Sequence, residues 1–131
     1  MADIPAAADA GWNGYSLSER DRRWNAVRAN GARAGLDCIL IPKGNRLDAR
    51  YLTQMIGTGN GGVGMILPTD GRPPIVLSES GAGGLPPGMT EWVSESELRR
   101  IRGGDRPRWG QPTADALTEL GMERGRIGVA R

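Results

Sequence analysis

The sequence predicts an α/β domain, a mixed β-sheet with helices packed on its faces. Three observations carry that reading. An unbroken apolar run, Cys38-Ile39-Leu40-Ile41, follows a helical stretch and lacks the polar alternation of a half-exposed strand. Two further apolar runs, 63–67 and 75–77, flank a turn-forming segment that contains Asp70-Gly71, the signature of an antiparallel hairpin. Helical and extended stretches then alternate along the remaining chain, and alternation plus one hairpin implies a mixed sheet between helices.

Each element has its own local signal. Residues 1–15, rich in Ala, Gly and Asp, read as a flexible leader, with Trp12 and Tyr15 placed to pin its end; residues 16–131 read as the folded domain. Ser16-Leu17-Ser18-Glu19 is a capping box, with Ser18 as a second candidate N-cap. The helix that follows presents Trp24, Val27, Gly31 and Ala34 on one face. Gly31 weakens it by about 1 kcal/mol relative to alanine. Gly35 stands where a left-handed residue ends a helix, and Leu36 can fold back in a Schellman contact.

Pro42, Gly44 and Asn45 stop the first strand, and the spacing of Leu47, Tyr51, Leu52 and Met55 predicts a short helix. After the hairpin, 81–88 is a Gly/Pro loop and 91–93 a short strand. Ser94-x-x-Glu97 predicts a brief capped helix through Leu98 and Ile101, stopped by Gly103-Gly104. Pro112 suits the first turn of a helix carrying Ala114, Leu117 and Leu120 and ended by Gly121. Residues 127–129 form the last strand.

Composition narrows the function classes. The length of 131 residues suits one domain, and 38% apolar with 24% charged residues is ordinary for a soluble globular chain. Seventeen basic against fifteen acidic residues leave 17 − 15 = +2. The arginines are scattered and interleaved with carboxylates, as on a solvated helix face, so no nucleic-acid partner is expected. With no histidine, Ser-His-Asp and Cys-His catalysis cannot be built from this chain. Cys38 alone can supply neither an intrachain disulfide nor a multi-cysteine zinc site, and it fits a reducing compartment. The N-terminal residues do not read as a secretory signal, and no stretch has the apolar length of a membrane span. A cytoplasmic chain with no membrane partner and no cofactor of its own is expected.

Several residues invite a functional reading beside a plainer one. Gly57-Thr-Gly59-Asn-Gly-Gly62 matches the dinucleotide pattern G-x-G-x-x-G, but Val-Gly-Met-Ile-Leu-Pro follows where a helix is required. A glycine loop is the expected outcome. Tyr51 reads as a core residue whose hydroxyl reaches one hydrogen bond. If segment 45–62 touches a substrate or partner, Tyr51, Gln54 and Asn60 are the candidate side chains. Cys38 reads as a small buried hydrophobe. Trp92 and Trp109 read as packing anchors, with Trp109 the better placed of the two for an interface.

The ordered set of these pieces resembles the N-terminal domain of the creatinase/prolidase/aminopeptidase P family. The pieces are the Arg-rich helix, Gly35-Leu-Asp-Cys-Ile-Leu-Ile-Pro42, Asn45, Tyr51-Leu52-Thr53, the Asp70-Gly71 hairpin, Trp92, and the Leu117-x-x-Leu120-Gly121 helix leading to Arg126-Ile-Gly-Val129. Gln54 departs from the pattern, which usually has a glycine after Tyr-Leu-Thr, and the glycine-rich 57–62 loop replaces an aromatic-containing stretch. The resemblance implies a mixed sheet flanked by helices, similar to ribonuclease H-like folds, and a catalytically silent chain. It implies a role in oligomerisation, as a homo-oligomer, and in shaping a neighbouring active site. Chemistry then falls to a following C-terminal pita-bread domain, where two divalent metal ions are bound in the peptidases. The alternative is a stand-alone α/β interaction module without catalytic activity.

Overall fold

The computed structural model describes residues 15–43, 46–55, 62–79, 92–94, 96–101 and 109–130. Along the chain these form α1 (Leu17–Arg33), β1 (Cys38–Ile41), α2 (Arg46–Thr53), β2 (Val63–Pro68), β3 (Ile75–Glu79), β4 (Leu98–Ile101), α3 (Gly110–Glu119) and β5 (Ile127–Val129). The protein is α/β, with a five-stranded mixed sheet among the described residues in the order β4-β3-β2-β1-β5. The β2–β3 hairpin is antiparallel, as its Asp70-Gly71 turn requires, and β1 pairs antiparallel to β2. The two outer pairs, β3 with β4 and β1 with β5, are parallel.

Strand alternation divides the core into two layers. Ile41, Val63, Met65, Leu67, Val76 and Leu98 meet Trp24 of α1 and Ala49 and Leu52 of α2 on one face. Cys38, Ile66, Ile75, Leu77 and Ile101 meet Ala116 of α3 and Met122 on the other. β1 is therefore covered on both faces, as its unbroken apolar run implies.

Local signals explain the helix ends. Ser16 caps α1, its Oγ accepting from the Glu19 N–H at 3.1 Å. Gly35, at φ +74, closes the helix: its N–H donates to Ala32 C=O, and the Leu36 N–H donates to Gly31 C=O. Those two bonds are the Schellman motif. Gly121, at φ +70, ends α3 the same way, with Gly121 donating to Thr118 and Met122 to Leu117. Gly31, costly inside a helix, has a packing reason. A Cβ there would sit 2.9 Å from both Ile39 Cδ1 and Thr69 Cγ2, so glycine lets α1 lie directly on the sheet.

Three expectations are corrected. Leu98–Ile101 is strand β4 rather than a helix. Ser94 and Glu97 do bond as a capping pair, the Ser94 N–H and Oγ both donating to Glu97 Oε1 at 2.8 and 2.9 Å. The free edge of β3 then recruits the following residues, beginning with Val76 N–H donating to Glu97 C=O at 2.8 Å. Sheet pairing overrides the local cap. Trp92 and Val93 form a turn rather than a strand, although both are buried. Tyr51 is 46% exposed rather than core, because Ala49, Leu52 and Thr53 form the inward stripe of α2.

Candidate functional site

The first two turns of α1 assemble the most elaborate polar cluster among the described residues. Glu19 and Arg23 lie four residues apart on one helix face, where opposite charges pair. The Glu19 carboxylate accepts from Arg22 Nε and Nη2 and from Arg23 Nε, each at 2.7 Å. These bonds, Arg22 first and then Arg23, lower the Glu19 pKa from 4.5 to about 2. Glu19 also raises the pKa of Arg22, and a hydrogen bond with Tyr51 does so next. The cluster is thus fixed in charge near neutral pH, a brace rather than an acid–base pair.

Arg23 is only 7% exposed. A buried guanidinium needs partners in several directions. It donates from Nη1 to Tyr51 C=O at 2.7 Å, and its Cζ lies 4.1, 4.7 and 5.1 Å from the ring centroids of Tyr51, Tyr15 and Trp92. Trp92 Nε1 donates to Tyr15 C=O at 3.3 Å, and Arg20 Nη1 donates to Trp92 C=O at the same distance. One arginine therefore joins three segments distant in sequence.

The target of this cluster is the C-terminus of α2. The last turn of a helix leaves carbonyls without intrahelical donors, and its dipole favours a cation there. Arg23 takes Tyr51 C=O, and Trp24 Nε1 takes Leu52 C=O at 2.6 Å. Thr53 Oγ1 donates to Ala49 C=O at 2.6 Å and accepts from Met55 N–H at 3.1 Å. Gln54 sits at φ 55, the left-handed region where its backbone N–H and its side-chain Nε2 both donate to Arg50 C=O. A non-glycine residue adopts that conformation at a cost of about 1–2 kcal/mol. The result is a rigid corner with the Tyr51 ring on its outer side.

Two of the three candidate side chains, Tyr51 and Gln54, share this corner. Asn60 lies outside the described residues, as do Asn45 and 57–61 of the glycine loop. Sequence reasoning missed Arg23, Tyr15 and Trp92 as one unit. The i,i+4 spacing of Glu19 and Arg23 was a visible signal for the pair, whereas the contacts with the Tyr51 and Trp92 rings are long-range. Trp109 folds back on its own sheet, 3.2 Å from where a Gly64 Cβ would stand, with Lys43 Nζ 5.6 Å from its ring centroid. Cys38 is fully buried, and burial first, then the Asp37 charge, pushes its thiol pKa up. Among the described residues, no group of three or more His, Cys, Asp or Glu is placed to hold a metal ion, and no helix is long and apolar enough to cross a membrane.

Fold and site together define a mixed-sheet α/β domain that presents a braced aromatic corner. No protein-family model matches the sequence, and no curated protein matches it. Among solved structures the chain is similar to dipeptidase PepE from Mycobacterium ulcerans, at 18% identity and a TM-score of 0.38. That similarity covers 88% of this chain and 23% of the dipeptidase chain, and its TM-score is too low to bear on activity.

Proposed function

We propose that this chain is the non-catalytic N-terminal domain of a metallopeptidase-like hydrolase of the Xaa-Pro aminopeptidase, prolidase or creatinase type. Its role is oligomerisation and the shaping of a neighbouring active site. Two divalent metal ions would belong to a following pita-bread domain, the partner of this one. The ordered motif set supports this reading, and one observation carries it: Tyr51 and Gln54 stand on a corner that is rigid from within and open to the outside. A preorganised aromatic and an amide can contact a ligand with little loss of side-chain freedom. Nothing in the corner performs hydrolysis, which suits a residue pair that lines another domain's site.

The test compares this chain with the native protein recovered from its source cells by an antibody to the domain. The native product should exceed 14.0 kDa by one or two domains of roughly 100–200 residues each. It should hydrolyse an Xaa-Pro dipeptide in the presence of Mn²⁺, whereas the isolated chain should not. Tyr51→Ala in the native protein should lower kcat/KM about tenfold or more while leaving thermal unfolding within a few degrees. Hydrolysis by the isolated chain would overturn the reading. A native product of 14.0 kDa would replace it with the interaction module.

A further inference from the structure

Tyr15 is held differently from the residues beneath it. Its ring centroid lies 4.7 Å from Arg23 Cζ, and its carbonyl accepts from Trp92 Nε1 at 3.3 Å. The residue is 52% exposed and precedes Ser16, the N-cap of α1, so the helix ladder does not fix it. Arg23 and Trp92, by contrast, are buried and fastened by bonds in which Tyr15 takes no part. Glu19 and the Tyr51 carbonyl hold the guanidinium, and Arg20 Nη1 donates to Trp92 C=O. A Tyr15 ring that turns outward therefore uncovers part of the guanidinium while the groups around it keep their own braces. A seat preorganised in this way loses little freedom when it is filled again.

We propose that this seat receives an aromatic side chain from a partner polypeptide, and that Tyr15 is the built-in occupant with which the partner's ring exchanges. Tyr15 itself shows what the seat takes, an aromatic ring set against a guanidinium. The rings of Tyr51 and Trp92, with centroids 4.1 and 5.1 Å from the same Cζ, add aromatic surface around it, and Tyr51 is half-exposed. An aliphatic side chain offers the cation no π-face, so the seat distinguishes a ring from a valine or leucine of similar apolarity. Net charge is not the attraction. The Glu19 carboxylate already accepts from Arg23 Nε at 2.7 Å, so the incoming ring needs no charge of its own. Because Tyr15 must leave first, the seat blocks itself, and its apparent affinity falls with the fraction of molecules in which it stands open. The proposal does not depend on the peptidase reading, since it needs only a partner with an exposed aromatic residue.

The experiment titrates the ¹⁵N-labelled full chain with N-acetyl-tyrosinamide, an uncharged aromatic probe, and with N-acetyl-valinamide as its aliphatic control. In the native chain the aromatic probe should shift the amides of Tyr15 and Arg23 and the indole N–H of Trp92, as its ring replaces that of Tyr15. Tyr15→Ala removes the occupant but keeps the carbonyl that Trp92 holds, and should bind the probe about tenfold more tightly. Tyr15→Phe keeps a ring in the seat and should bind as the native chain does. The valine probe should leave all three resonances in place. Equal affinity of the native and Tyr15→Ala chains would make Tyr15 a structural contact only and overturn the proposal. So would equal shifts with the valine probe, shifts centred on Trp109, or no shifts at millimolar probe. Should Tyr15→Ala lose its fold, the native chain titrated with the two probes still decides.

Discussion

On the face covered by α1 and α2, apolar burial is joined by directed bonds from buried or half-buried donors. Trp24 donates to Leu52, Arg23 to Tyr51, and Arg28 to the carbonyls of Pro68 and Arg72. On the face covered by α3, the polar ties lie at the surface. Arg99 pairs with Glu119, Gln111 bonds Asp115, and Arg72 donates to Leu120 C=O. The difference teaches where orientation matters. Apolar contact fixes that a helix is on a sheet but tolerates small shifts, whereas a buried donor aimed at one carbonyl fixes the angle of approach. The corner that presents Tyr51 belongs to the face with directed bonds.

Breaking that face should have the largest consequence. Trp24→Ala removes a buried ring and the donor to Leu52, and should cost about 3–5 kcal/mol in urea unfolding. Acid should loosen the same face in a defined window. The Glu19 pKa is lowered from 4.5 to about 2 on folding, so its contribution is complete above 4.5 and is lost as pH falls through about 2. Urea midpoints measured across that window should fall for the native chain, and Glu19→Gln should remove this part of the decline. A smaller change should go the other way. Gln54→Gly relieves a left-handed backbone at φ 55 and should stabilise by about 1 kcal/mol or less. The faint end of the comparison is Arg99→Ala on the α3 face. That exposed pair should be worth under about 1 kcal/mol, and less in high salt.

Much of the architecture was legible because it is locally encoded. The β2–β3 hairpin follows from apolar runs around Asp70-Gly71, and the ends of α1 and α3 follow from Gly35 and Gly121. β4 was not legible. Leu98 and Ile101 are three apart, which suits one face of a helix, yet in the strand they supply opposite layers of the core. Only the neighbouring edge of β3 decides between those states, and that edge is distant in sequence. For the candidate site, Tyr51 and Gln54 were found but the support for them was not. Arg23 meets Tyr15, Tyr51 and Trp92 through folding alone, and an arginine amid scattered arginines reads as solvated until its partners arrive. The left-handed Gln54 links the two levels. The resemblance expects glycine at this position, and the backbone there is one that glycine adopts freely.

Lys43 has a practical consequence. It is the single lysine of the chain, exposed just past β1, with its ammonium beside the Trp109 ring. Amine-directed reagents therefore have one side-chain address. A dye attached there would sit next to an indole able to quench it or transfer energy to it. Because Trp109 rests on Gly64 of β2, that signal would report whether α3 remains seated on the sheet.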